Sequence, residues 1–367
     1  MRLEEDVTDL CNEIFAHLPR IDQRRKGYEY VNGLLQARGR KSIRNIAGTS
    51  AGTAAEQALH HFVSSSTWDW APARRALADY VRRAAGPLAW VLQPMMIPKA
   101  GAHTVGVGRR FCPSLRQSLN AQHAVGLWAA ADRFVTPVNW RLHLSGEWLA
   151  DVERRRRAMI PDGTVAQDLG TCAVDTFLQL AAPPGTPVVL DAREMDADAV
   201  VRRLCAAGAT VMVRVPAGLR LTAYPGAAEE ITGTAADLVT GARHGQRPVF
   251  GRPRGGTERA CLLPVRLPGS RRRAPLQLLG LGAIGGPWPG ECWLTDITGD
   301  GLADLVRLTA LPRQVDEDLN GYGDRVGLRD FTGRSFTGWH RHTTLASAAH
   351  ALLALAGVPE TTLYQAS

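Results

Sequence analysis

Several groups of side chains in this 367-residue chain are of types and spacings that could do chemistry. Arginine and lysine gather at Arg24, Arg25 and Lys26, at Arg38, Arg40, Lys41 and Arg44, at Arg154 to Arg157, and at Arg271 to Arg273. Clustered cations neutralise phosphates, and the affinity they supply falls as salt rises. The first two clusters are the candidate nucleic-acid contacts, and any one cluster alone is also what a solvated helix face or loop looks like. Lys plus Arg total 43 against 35 Asp plus Glu, a formal charge of +8, which favours polyanionic partners without naming one. The excess is mostly arginine, which a GC-rich coding sequence would also produce.

Other patterns lead to plainer readings. Asp296-Ile297-Thr298-Gly299-Asp300-Gly301-Leu302-Ala303-Asp304 has the look of a calcium loop, but Arg307 stands where a bidentate Glu is needed, so a strand-to-helix turn is expected. Gly280-Leu281-Gly282-Ala283-Ile284-Gly285 fits a dinucleotide-binding expression, yet Gly286-Pro287-Trp288-Pro289 follows where a helix should start. His340 and His342 are two apart at an expected helix start, pointing to different faces, and packing is expected of both. The six cysteines form no CxxC pair and read as buried thiols, which speaks against zinc and disulfides.

The elements that must position these groups follow from periodicity. Residues 1–86 read as a helical N-terminal domain, with Val7, Leu10, Cys11, Ile14 and Phe15 at helical spacing and short helices in the middle compatible with a helix-turn-helix variant. From 87 to 215 the pattern is mixed α/β. LAWVLQPMMI, HTVGVGRRF, AQHAVGLWAAA and TPVNWRLHL read as strands, Glu147 to Ala182 as mostly helical, and PVVLDA, Ala197 to Ala207 and TVMVRV as a βαβ unit. Residues 216–290, rich in Gly, Pro and Arg, read as a β-rich insertion, and 291–367 returns to the core with C-terminal helices starting near Val315 and Trp339. No apolar run is long enough to span a membrane and the N-terminus is acidic, so a cytoplasmic location without membrane partners is expected.

Three segments, in order, resemble DDE transposases of bacterial insertion sequences. YEYVNGLLQARGRKSIRNIA with FVSSSTWDWAPARRAL is similar to the family's N-terminal helical domain. IPKAGAHTVGVGRRFCPSLRQSLNAQHAVGLWAA with VNWRLHLSGEW is similar to the first strands of its catalytic core, and VGLRDFTGRSFTGWHRHTTLASAAHALLAL to its C-terminal signature. The resemblance implies an RNase H-like α/β core and three carboxylates that hold two Mg²⁺ or Mn²⁺ ions for in-line displacement at phosphorus.

That implied triad is degraded here. The two aspartates expected at the first position are Gln93 and Pro94, neither of which is an anionic ligand. The second acid matches Asp191, followed by Arg193-Glu194-Met195 where Tyr-Gly is usual, and the third aligns with Asp316, with Glu317 beside it. An Asp side chain is one methylene shorter than the Glu expected there and neighbouring positions on a helix are rotated by about 100°, so neither Asp316 nor Glu317 substitutes automatically at a two-metal site. Asp196 and Asp198 read as helix-capping residues. The resemblance therefore implies a transposase-derived protein whose Mg²⁺ site is lost, with no metal or cofactor expected, DNA as the partner and strand cleavage absent. The alternative is an RNase H-like cleft recruited for chemistry on a small-molecule substrate, for example in a biosynthetic pathway. Asp191, Asp316 and Glu317 would then line the cleft with Lys99, His103 and His123. The sequence leaves the oligomeric state open.

Overall fold

The computed structural model describes residues 2–48, 52–101, 103–112, 116–180, 185–224, 230–250, 257–270, 276–299 and 301–357. Amphipathic spacing and side-chain caps build the opening helices. α1 (Arg2–Ile14) buries Val7, Leu10, Cys11 and Ile14, and α2 (Ile21–Gln36) buries Tyr30, Val31 and Leu34. α3 (Ile43–Ala47) starts on Ser42, whose hydroxyl accepts from the Asn45 N–H, and α4 (Gly52–Ser64) follows. α5 (Trp70–Ala85) starts on the Asp69 carboxylate and stops where Gly86 turns left-handed.

Four strands come next, β1 (Ala89–Pro98), β2 (Gly108–Cys112), β3 (Gln117–Ala131) and β4 (Phe134–His143), then α6 (Gly146–Ala150), α7 (Val152–Arg157) and α8 (Leu169–Leu178). β5 (Val188–Asp191), α9 (Ala197–Ala206) and β6 (Val211–Val215) form the βαβ unit. After them run β7 (Arg220–Ala223), β8 (Ile231–Thr234), α10 (Ala235–Gly241), β9 (Arg247–Val249), β10 (Glu258–Arg266), β11 (Leu276–Ala283) and β12 (Glu291–Thr295). α11 (Leu302–Leu308), α12 (Leu311–Asp318) and α13 (Phe336–Ala356) close the chain.

The chain packs as two compact units. The first comprises Met1–Pro87, Pro94–Leu180 and Val315–Ser367. In it β3 pairs antiparallel with β2 and β4, and α13 lies against β4, α2 and α5. α13 is buried almost all round although it carries many polar groups, and each needs a partner away from water. Arg341 donates to the Trp68 carbonyl at 2.9 and 3.0 Å, Ser347 accepts from Trp140 Nε1 at 2.8 Å, and His350 meets Asp318 at 2.5 Å and Thr136 at 3.0 Å. Arg74 of α5 is buried beside them and donates to Thr344 Oγ1 at 2.7 Å, Asn139 Oδ1 at 3.1 Å and the carbonyls of Trp140 (2.6 Å) and His340 (2.9 Å). Burial pushes the Arg74 guanidinium down to about 9.

The second unit comprises Leu88–Gln93 and Ala181–Gln314. The start of β1 pairs parallel with β5 and β5 with β6. β6 then pairs antiparallel with β12, β12 with β11 and β11 with β10. β10 also takes β7 and β9, and β7 takes β8. The central strands are apolar along their length, as strands covered on both faces must be: Val188 to Leu190 and Val211 to Val213 are fully buried.

The mixed α/β class holds, with local differences. In the expected strand HTVGVGRRF only Gly108 onward is β. Thr104 to Val107 form a turn, with Gly106 at φ 76°, that still buries Val105 and Val107, so apolar alternation misled there. The helices expected from Val315 and Trp339 begin at Leu311 and Phe336, the latter because the Ser335 hydroxyl caps Gly338 N–H. Residues 216–290 carry β7 to β11 and also the helix α10, which starts on the Thr234 hydroxyl.

Candidate functional site

β5 ends on Asp191, and the strand registers set its neighbours. Leu92 pairs with Leu190, so Gln93 stands beside Asp191 one step further along the two parallel strands. On the other side Asp191 pairs with Arg214 of β6, and Arg214 with Trp293 of β12. Residues in register share a face, so Gln93, Asp191, Arg214 and Trp293 form one row across four adjacent strands of the second unit.

The Asp191 carboxylate in this row is taken up by guanidinium groups. Arg193 Nε reaches Oδ1 at 3.0 Å and Oδ2 at 3.1 Å, its Nη2 reaches Oδ2 at 2.8 Å, and its backbone N–H reaches Oδ1 at 3.2 Å. Arg214 Nη1 approaches Oδ2 at 3.4 Å, while its Nη2 lies 3.3 Å from Glu291 Oε1. The other Glu291 oxygen accepts from Trp293 Nε1 at 2.9 Å, and the Arg214 guanidinium carbon lies 6.0 Å from the Trp293 ring centroid. The hydrogen bond to Asp191 holds Arg193 above its usual value despite partial burial. Two carboxylates and two guanidiniums therefore neutralise one another.

A pair of divalent ions does not fit this donor set. Gln93 offers an amide in place of a carboxylate, and the oxygens of Asp191 already accept hydrogen bonds from arginines that a metal would repel. Among the described residues no three His, Cys, Asp or Glu side chains are placed to hold a metal together. Pro94, half-buried in β1, belongs to the first unit, as do Asp316 and Glu317, which are exposed on α12. The acid of that helix that faces inward is Asp318, bound to His350. Asp196 caps α9 through Ala199 N–H, and Asp198 pairs with Arg202 at 2.7 Å.

The proposed cleft residues Lys99, His103 and His123 all lie in the first unit. Lys99 donates to the carbonyls of Arg329 and Phe331, both at 2.7 Å, and burial pushes it down to about 8. His103 is exposed. His123 is edge-on to His143 at 6.1 Å, and burial, then Arg110 and His143, push it down to about 4.

The N-terminal cations divide by environment. Arg24 donates to the Leu18 carbonyl at 2.7 Å, and Arg25 and Lys26 both pair with Glu29. Lys41 is buried, its ammonium on the Ala37 carbonyl and its backbone N–H on Asp330. Arg38, Arg40 and Arg44 are exposed. In α7, Arg154 lies 3.7 Å over the Trp148 ring and Arg156 and Arg157 pair with Glu153. Arg271 to Arg273 and Asp300 lie outside the described residues. Asp296 of the loop that looked like a calcium site accepts from Val211 N–H at 2.7 Å, and the glycine-rich stretch from Gly280 ends β11 in a turn.

Sequence reasoning missed Arg214, Glu291 and Trp293. The available signal was the single charge in the apolar run TVMVRV, which demands a partner at the end of a buried strand.

A model of the DDE superfamily endonuclease family matches residues 13–259, a stretch that includes Gln93, Asp191, Arg193 and Arg214 and stops before α12. No curated protein matches the chain.

Proposed function

The chain belongs to the DDE superfamily endonucleases, and from that membership we propose that it is a transposase-derived protein that binds DNA and does not cut it. The observation that carries this reading is the occupancy of Asp191 by Arg193 and Arg214, with Gln93 alongside. In-line displacement at phosphorus by this superfamily's chemistry needs carboxylates that clamp metal ions on the attacking and leaving oxygens. A carboxylate held by two guanidiniums next to a neutral amide supplies no such clamp.

DNA binding rests on other residues, so it survives the loss. The exposed Arg38, Arg40 and Arg44 of the helical region supply charge for phosphate contacts, whereas Arg24 and Lys41 act within the fold. The test is nicking and end-joining of candidate terminal-repeat DNA with Mg²⁺ or Mn²⁺, by the native protein and by Asp191→Ala. No product from either is expected, together with binding that weakens as salt is added. Metal-dependent cleavage abolished by Asp191→Ala would refute the proposal.

A further inference from the structure

The first unit contains a cavity of about 310 Å³ that no part of the DNA-binding reading uses. Its walls come from the start of α5, β4, the segment after α7, α8 and the start of α13. One wall is aromatic. Trp70 stacks on His340 with ring centroids 4.8 Å apart and planes 7° apart, and Phe336 meets Trp70 edge-on at 6.3 Å.

Two side chains at this cavity, His340 and Arg141, have donor capacity to spare. Arg74 Nη2 donates to His340 Nδ1 at 3.2 Å, so the proton of the neutral His340 ring is on Nε2. Among the described residues no acceptor lies within hydrogen-bond distance of that Nε2–H, although His340 is 96 % buried, being only 4 % exposed. Burial first, then Arg74 and Arg141, hold His340 well below its ordinary value, so it stays neutral. The second donor is Arg141, another lining residue. Its nearest carboxylate oxygen, Asp175 Oδ2, is 3.8 Å away and already accepts from Gln167 Nε2 at 2.7 Å. Among the described residues no Asp or Glu lines the cavity. An N–H facing the cavity and a guanidinium whose carboxylate partner is 3.8 Å away and shared, beside the Trp70 and Phe336 rings, make a site suited to a negative and planar ligand.

We propose that this cavity binds a small planar aromatic anion, with its rings against Trp70 and Phe336 and its carboxylate, or a comparable acidic group, on Arg141 and His340 Nε2. The cavity lies at the lower end of the size range of small-molecule sites, which suits a one- or two-ring ligand. The proposal is independent of the Asp191 cluster.

The test is isothermal titration calorimetry of the full chain with 2-naphthoate and with its neutral counterpart 2-naphthamide. The acid is expected to bind about tenfold more tightly than the amide, as a charge-assisted hydrogen bond provides. Arg141→Gln should remove that preference and Arg141→Lys restore part of it. Thr164→Trp, which fills the cavity from a loop and leaves both donors in place, should block both ligands without changing DNA affinity. Equal affinity for acid and amide, no binding of either, or binding that Arg141→Gln and Thr164→Trp both leave intact would overturn the proposal. None of these outcomes touches the nicking experiment.

Discussion

His342 is placed so that it must stay neutral. Its Nε2–H donates to the Gly327 carbonyl at 2.8 Å and its Nδ1 accepts from the Tyr30 hydroxyl at 2.9 Å, so both nitrogens are satisfied without charge. Burial pushes the ring down to about 4, whereas an unfolded chain protonates it near its ordinary value of about 6.5. The sign follows from which state takes up the proton first. Between these two values the unfolded state binds it and the folded state does not, so stability is complete above about pH 6.5 and falls as pH drops toward 4. Each pH unit in that window costs about 1.4 kcal/mol. Urea unfolding at pH 7 and pH 5 is therefore expected to show His342→Phe less stable than native at pH 7. The variant's loss between the two pH values should be smaller than the native protein's by about 2 kcal/mol. Equal losses in both proteins would show that His342 does not carry this dependence.

Between α2 and α3 the backbones approach so closely that only glycine fits. A Cβ on Gly33 would lie 2.3 Å from the Ile46 carbonyl oxygen and 2.8 Å from Ile46 Cγ2. Gly33→Ala gains about 1 kcal/mol of helix propensity, but overpacking against a backbone atom costs about 1–3 kcal/mol, so the clash decides. The variant should melt several degrees lower, and Gly146→Ala, with open space around its new methyl group, should melt like the native protein. The opening helices, the long strands β3 and β4 and the βαβ unit were legible in the sequence because one face or both faces are apolar and the ends carry Ser, Asp or Gly. What was not legible is what only register and packing create. Arg214 meets Asp191 because two strands pair, Arg74 finds acceptors on α13 from 266 to 270 positions away in sequence, and Lys41 turns inward although it reads as one of a basic run. At the candidate site the non-acidic character of Gln93 and Pro94 could be read directly, whereas the pairing of Asp191 with Arg193 and Arg214 required the fold.

Over the whole molecule the charge of +8 sets an attraction to polyanions that salt screens, and the arrangement of the cations determines which of them serve it. Replacing Arg40 and Arg44 by Ala removes two exposed charges. In fluorescence anisotropy with duplex DNA between 50 and 200 mM salt, a log–log salt slope shallower by about 2 is expected. Arg24→Ala, which breaks the bond to Leu18, should instead lower the melting temperature and change the slope by at most about 1. A double variant with an unchanged slope would move the DNA contact elsewhere. A DDE active site with its carboxylates intact is a small store of like charge, which divalent ions quieten when they bind and leave exposed when they depart. In the function we propose, Arg193 and Arg214, which bind Asp191, take over that duty from within the chain. Thermal melts in excess EDTA and in millimolar Mg²⁺ should coincide, because the protein carries its own counter-ions and its folded state is indifferent to the magnesium supply around it.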